Sequence, residues 1–509
     1  MKKSSLSLAL LPLMLATACG GGDTPENNTA ESLEAVNQAP EVSISSDQTV
    51  AAGDEVTISV TVSDDDEVTV AWHQSAGASV TFELLDENTL TFTAPQFDTD
   101  TMLTFVAEVS DGVNDPVVAS VDITVTSTGA ESSNWIINNE TTSTYISSAT
   151  GSVLEDVQLV QTVNTDGADY VYVEASGIPK YEVTISQDMV DQLNQRPKAS
   201  TDFIAGTTSA YAGQVVEFGE DIGYRSSRTN CTTTGGDGYW PPGPECPTNQ
   251  GKQVYFPAEP AAQDDEDCET GLGPIGLMVN GTSIFNWWDG QSVSNNQWLT
   301  LAPIAEQYDV DICGGHAAQG NYHHHFYTTC LANLVGDEGA EHSPIYGYSA
   351  DGYPLYGPYE STDTLAVSGW KTRDYGASVN EAGCDTEGER SCVLVDPYDI
   401  SKGVTQVANG PGTDETVTTL SGNRFVATSG YYFEDYYYAG EAVEGARLDE
   451  NNGHDTQDGR GYHYHITLTK DENGKLTPAF PFTIGPNFKG KLGSNAIAQC
   501  GGTALPPLN

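Results

Sequence analysis

Basic residues are scarce in this chain. Lys and Arg together number 19 against 72 Asp and Glu in 509 residues, a formal net charge of −53. Proteins that bind nucleic acid by neutralising phosphates need clustered Lys and Arg, so that class of function is excluded. Beyond the amino terminus no apolar run approaches the ~18 residues needed to span a bilayer as a helix. No Gly-x-Ser-x-Gly nucleophile elbow and no His-Glu-x-x-His segment occurs, which removes two common hydrolase designs. No Cys-x-x-Cys pair is present either, so thiolate zinc sites are disfavoured against disulfides. What remains is a composition of 38% hydrophobic residues with 52 Gly and 25 Tyr, lean in aliphatics yet able to build a core. The length predicts two to four domains.

The amino terminus carries Lys2 and Lys3, an apolar run from Leu6 to Leu15, and the small residues Ala16, Thr17 and Ala18. Residues 1–18 have the form of a secretory signal. They resemble a bacterial lipoprotein signal, with Cys19 as the acylated residue, although Leu15 stands four residues before Cys19 where such signals have it three before. Ordinary cleavage after Ala18 is the rival. Parity favours lipidation: nine cysteines without Cys19 leave eight, which can all pair in an oxidising compartment. Gly20 after the cysteine resembles lipoproteins sent to the outer membrane of Gram-negative bacteria. The expectation is an exported protein, held by lipid on Cys19 at the periplasmic or cell-surface face of that membrane.

Residues 19–38 are Gly-, Asn- and acid-rich and predict a solvated tether. From 39 to 127, six strand-like runs such as Glu55–Val62 and Leu103–Val109 alternate with Asp, Gly, Ser and Pro, predicting a β-sandwich. This stretch resembles cysteine-free immunoglobulin-like modules of the PKD or cadherin type. Its acidic run Asp64–Glu67 makes Ca²⁺ a candidate occupant, against the plainer reading of a solvated turn. Residues 128–150, rich in Ser and Thr, predict a linker. All eight remaining cysteines and eight of nine histidines follow, in 151–509.

Within that region a constellation recurs in order. Two hairpin signals, Pro274–Phe285 around Asn280-Gly281 and Pro344–Tyr356 around Asp351-Gly352, predict tight turns with both central residues at positive φ. Each is followed by a histidine motif. Asp311-Ile-Cys-Gly-Gly-His316 precedes Tyr322-His-His-His325, and Asp449-Glu-Asn-Asn-Gly-His454 precedes Tyr462-His-Tyr-His465. The repetition predicts an internal duplication, its second copy stretched by an insertion over 360–448. On a strand, residues i and i+2 share a face. His323 with His325, and His463 with His465, therefore each present two imidazoles, and His316 and His454 on the preceding loops can supply a third. Three neutral imidazoles suit Zn, Cu or Fe. A buried histidine–tyrosine hydrogen-bond network is the alternative. His342 is a further candidate ligand; Asp351 could accept from an imidazole, but its place in a hairpin turn, where Asp is expected, explains it better.

The runs Gly273–Phe285, Gly347–Pro358, Leu448–His454 and Tyr462–His465 together resemble the YHYH domain family over about 165–490. The family takes its name from the motif and implies no agreed reaction. Two departures stand out, Asn451 where the family often has Cys and Tyr322-His-His-His325 in the first copy. The fold class expected is therefore mainly β: an immunoglobulin-like β-sandwich followed by a larger, disulfide-stapled β-rich YHYH domain. Spacing suggests the pairs Cys231–Cys246, Cys313–Cys330 and Cys384–Cys392, leaving Cys268 with Cys500; sequence alone allows 105 connectivities. The aromatic runs Trp287-Trp288 and Tyr431–Tyr438 could stack on a sugar or peptide, or form core. The leading functional expectation is transition-metal binding in a structural or sequestering role. The alternatives are a metal-dependent surface hydrolase or oxidoreductase, or an adhesion protein with a protein or glycan partner and purely structural histidines.

Overall fold

The computed structural model describes residues 37–51, 54–95, 101–126, 134–148, 151–165, 167–196, 208–222, 246–263, 268–458, 460–493 and 495–501. The signal segment, Cys19 and most of the tether lie outside these residues, as does Cys231. No helix among the described residues is long and apolar enough to cross a membrane.

The amino-terminal module is built from β1 (Glu41–Ile44), β2 (Gln48–Ala51), β3 (Glu55–Ser63), β4 (Thr69–Ala76), β5 (Glu83–Asp86), β6 (Thr89–Thr93), β7 (Thr101–Ser110) and β8 (Val117–Thr126). Two four-stranded sheets result, in the orders β1-β3-β6-β5 and β2-β8-β7-β4. Alternation in the sequence becomes the packing: Val56, Ile58 and Val60 of β3 are buried while the Thr and Ser residues between them are exposed. Val56 and Ile58 meet Leu90, Phe92, Leu103, Phe105, Val121 and Ile123 in one cluster. Full burial of each such side chain stabilises by roughly 1.5–3 kcal/mol, enough for a module of this size to stand without disulfides. This is the expected immunoglobulin-like sandwich. In the acidic run, Asp64 accepts from the Asp66 backbone N–H (2.9 Å), which shapes a turn.

The stretch expected as a linker is in part structured. Thr142–Ser148 pairs antiparallel with Gly151–Leu154, and Trp135 and Ile146 are buried in the carboxy-terminal core. Trp135 stacks on Tyr348 at 5.2 Å between ring centroids. Ser and Thr disguise the segment as linker, although Thr fits a pleated strand well and one Trp and one Ile suffice to dock it.

The carboxy-terminal region centres on an eight-stranded sheet. Its strands run in the order Gly315–Ala318, Asn321–His324, Ser283–Phe285, Pro274–Met278, Ile345–Ser349, Pro354–Tyr356, Tyr462–His465 and Gly453–Asp455. The two central strands pair antiparallel with Leu277 opposite Tyr348. On each side a hairpin is followed by a histidine strand added in parallel, Ile284 opposite His324 on one side and Leu355 opposite Tyr464 on the other. The duplication expected from the motifs is thus an approximate two-fold relation about the Leu277–Tyr348 pair.

The hairpin turns differ from the expected form. Only Gly281 and Gly352 have positive φ, +78° and +88°; Asn280 and Asp351 do not. Gly281 N–H donates to the Met278 carbonyl and Met278 N–H to that of Thr282, both at 2.8 Å. Ser349, Gly352 and Tyr353 repeat the pattern. This is a type I turn closed by a left-handed glycine, the three-residue hairpin loop. A Cβ at Gly281 would also come within 2.6 Å of the Ala175 Cβ.

Disulfides cross-link largely buried segments: Cys268–Cys500, Cys313–Cys330 and Cys384–Cys392 are formed, and Cys246 is disulfide-bonded. Tyr375, Tyr431 and Tyr432 of the insertion pack against Trp298 and Ala305, which precede it, in a second core. Within the insertion a fully buried Arg390 donates from Nε and Nη2 to Asp435 at 2.7 and 2.8 Å. Trp287 stacks on Phe433 at 4.5 Å, so this part of the two aromatic runs is core.

Candidate metal centres

Each histidine motif opens with an aspartate that shapes its loop. Asp311 Oδ1 accepts from Cys313 N–H and Gly315 N–H at 2.8 and 3.1 Å, and Oδ2 accepts from the Tyr322 hydroxyl at 2.7 Å. Asp449 does the same with Asn451, Gly453 and the Tyr462 hydroxyl. The carboxylate therefore ties the loop to the tyrosine that precedes the first histidine of the strand. Gly315 and Gly453 are the residues over which those hydroxyls lie, where a Cβ would overlap the phenol. With the loop folded back, His316 pairs in register with His323, and His454 with His463.

In the first cluster, His316, His323 and His325 are 4%, 1% and 4% exposed, with ligand atoms all within 4.8 Å of one another. His323 Nδ1 lies 2.9 Å from the Asn321 carbonyl and His325 Nδ1 2.5 Å from that of Asn286. A carbonyl only accepts, so both Nδ1 atoms carry the proton and both Nε2 atoms present lone pairs. Those two Nε2 atoms face each other at 3.2 Å. Burial is the main reason that all three rings are held below the ordinary imidazole range, His316 to about 3 and His325 to about 4, which keeps them neutral and able to ligate. Phe285 stacks on His323 at 3.7 Å.

The second cluster has four rings. His463 Nδ1 lies 2.8 Å from the Gly461 carbonyl and His465 Nδ1 2.7 Å from that of Gly357. His342 Nδ1 lies 2.9 Å from the Ser343 carbonyl. Ligand atoms of His342, His463 and His465 lie within 4.8 Å of one another. His454 joins through His463, their Nε2 atoms 3.1 Å apart. His342, read from the sequence as an additional candidate, is thus integral to this cluster. Burial lowers all four pKa values, that of His454 to about 4.

Alternation sends the intervening residues to the other face. His324 Nε2 lies 3.1 Å from the Tyr181 hydroxyl, and the Tyr464 hydroxyl donates to Asp351 Oδ2 at 2.6 Å. Asp351 also accepts from Gly490 N–H at 2.8 Å; it anchors Tyr464, and among the described residues no imidazole is hydrogen-bonded to it. Asn451, in the place often held by Cys, donates from Nδ2 to the Asn487 carbonyl at 3.0 Å.

Two carboxylates escaped the sequence reading. Glu306 Oε2 lies 3.4 Å from His316 Nε2 and 3.2 Å from His325 Nε2. Burial, with Asp289 and Asp309 nearby, pushes its carboxyl well above the usual range. Glu360 Oε1 lies 3.8 Å from His454 Nδ1. A sequence signal for Glu360 exists, since it stands four residues past Tyr356 as Asp289 stands four past Phe285. Glu306 has no counterpart motif and follows the short helix Ala302–Ala305.

Among solved structures, the PKD domain of human KIAA0319 is similar at 16% identity, covering 20% of this chain and 93% of that one, with a TM-score of 0.16. A nucleoside hydrolase-related hypothetical protein from Saccharophagus degradans, associated with carbohydrate metabolism, is similar at 12% identity over 18% of this chain and 26% of that one, with a TM-score of 0.15. A DUF4784 family protein from Bacteroides caccae ATCC 43185 is similar at 10% identity over 39% and 51%, with a TM-score of 0.13. No curated protein matches the chain. Residues 253–472, the segment that holds both histidine clusters, match the family described as YHYH protein.

Proposed function

We propose that this is an exported, lipid-anchored protein whose YHYH domain binds transition metal at its two histidine clusters, in a structural or sequestering role. The observation that carries the reading is the pair of facing Nε2 atoms in the first cluster. With both Nδ1 protons committed to carbonyls, two lone pairs would confront each other at 3.2 Å. A cation between them turns that repulsion into coordination. The spacing fits: tetrahedral metal–nitrogen bonds of about 2.0–2.1 Å set neighbouring donors about 3.3–3.4 Å apart. Bound metal would contribute charge and cross-linking between loop and strand, adding its binding free energy to stability.

The test is elemental analysis of untagged protein after attempted reconstitution, beside a His323→Ala/His463→Ala variant. The expected result is metal in the wild type that the variant lacks. Wild-type protein that retains no Zn, Cu or Fe sinks the proposal. For the anchor, radiolabelled fatty acid should enter the wild type and not Cys19→Ala; equal labelling of both would refute it.

A further inference from the structure

Three imidazoles leave a fourth coordination position that water or the protein could take. We infer that both clusters are closed four-donor sites with different fourth donors: the Glu306 carboxylate in the first, and in the second the His454 imidazole, whose Nε2 lies 3.1 Å from that of His463 beside the group His342, His463 and His465. This rests on the metal-binding reading above and decides between its structural and catalytic forms.

Proton counting carries the argument in the first cluster. Its donors are three Nε2 atoms and one carboxylate. His323 and His325 have spent their ring protons on backbone carbonyls. A proton on Glu306 could serve His316 or His325, not both, and would leave the His323–His325 contact unserved. Glu306 Oε2 and His316 Nε2 are buried atoms with no hydrogen-bond partner among the described residues. Yet Oε2 sits 3.4 and 3.2 Å from the His316 and His325 Nε2 atoms, the spacing of donors on a shared tetrahedral metal; the donor atoms already within 4.8 Å of one another are those of His316, His323 and His325, so a bound ion would draw Glu306 in toward His323.

The second cluster is built otherwise. His342, His463 and His465 all commit Nδ1 to a carbonyl, so three Nε2 atoms are acceptors only. His454 can offer Nε2–H to one of them; His342 Nε2 and His465 Nε2 have no hydrogen-bond partner among the described residues. Glu360 faces His454 on the Nδ1 side. At 3.8 Å it makes no hydrogen bond there; a small approach would let it accept the Nδ1 proton and point Nε2 at a metal, the usual task of a carboxylate behind a ligating imidazole. Glu306, by contrast, faces Nε2 atoms directly.

The chemistry of the two ions should differ. Three imidazoles with a carboxylate partly neutralise a divalent ion in a dry tetrahedral site, which suits Zn²⁺. Four neutral imidazoles leave the charge of a divalent ion uncompensated, a nitrogen-only set that suits Cu or Zn. With all four positions taken by protein, neither ion retains the exchangeable position that metal-assisted hydrolysis needs.

The experiment is Co²⁺ titration of the full-length untagged protein and of Glu306→Gln and His342→Gln, which keep side-chain volume, each followed by excess azide. Wild-type protein should bind two equivalents with the intense visible absorption of four-coordinate Co²⁺, unchanged by azide. Each variant should weaken one site by roughly tenfold or more and make that site azide-sensitive, leaving the other as in wild type. If neither metal-binding site fills in the wild type, the metal reading itself fails. If two equivalents bind but azide alters the wild-type spectrum, or Glu306→Gln and His342→Gln bind as wild type, the metal reading stands and the closed-site inference is overturned. Should either variant misfold by circular dichroism, the wild-type azide result alone decides.

Discussion

Asp311→Ala and Asp449→Ala remove the same motif residue from the two halves, and the structure predicts unequal consequences. Asp311 is 4% exposed and accepts hydrogen bonds from Cys313, Gly315 and the Tyr322 hydroxyl. Bonds to a charged acceptor are worth about 1.5–3 kcal/mol each and do not add fully. Because the orphaned donors stay buried, the whole loss should fall near 4 kcal/mol. Asp449 makes the corresponding bonds at 3.0, 3.1 and 3.0 Å, but its side chain is 25% exposed and also meets Lys489 Nζ at 3.1 Å. Water can replace it there, so the loss should be only about 1–2 kcal/mol. A gap of about 2–3 kcal/mol is roughly 30- to 150-fold in a local opening equilibrium. Hydrogen exchange resolved by peptide reads it directly: amides of 313–325 should deprotect far more in Asp311→Ala than those of 451–465 do in Asp449→Ala. Equal deprotection, or the reverse order, would refute the view that burial sets the worth of these clamps.

Two further outcomes follow from other parts of the fold. Cys313 and Cys330, 17 residues apart, bracket the first histidine strand; Cys313→Ser/Cys330→Ser should lower stability in urea by about 3 kcal/mol, and a change under 1 kcal/mol would show the loop is held by other contacts. Asp156 is 1% exposed, and burial raises its carboxyl to about 7. Because the folded state keeps its proton after the unfolded state has lost it, stability should fall as pH rises from about 4 to 7, by about 2–4 kcal/mol. Asp156→Asn should flatten that decline in urea midpoints at pH 5 and pH 8, and an undiminished decline would place the titrating group elsewhere.

Much of the architecture was legible because its signals are local. The sandwich strands announce themselves by alternation, as in Val56, Ile58 and Val60. The duplicated hairpins announce themselves by Asn280-Gly281 and Asp351-Gly352, although the turn proved to need positive φ only at glycine. Trp135 and Thr142–Ser148 were hidden, since a Ser- and Thr-rich strand has linker composition and is ordered only by the core that receives it.

The histidine clusters divide along the same line. That His323 and His325, or His463 and His465, share a face is a property of extended backbone with its two-residue period, readable without any fold. That Asp311 and Asp449 begin each motif is readable too, because loop and strand are neighbours in sequence. Glu306 and His342 come from elements with no periodic or spacing relation to the rings they meet, and only the docking of the Ala302–Ala305 segment and of the chain before Ser343 brings them in. Sequence alone determined the duplicated pairs of imidazoles; tertiary packing decided what stands beside them, because convergence of distant segments depends on which surfaces bury one another and leaves no local pattern.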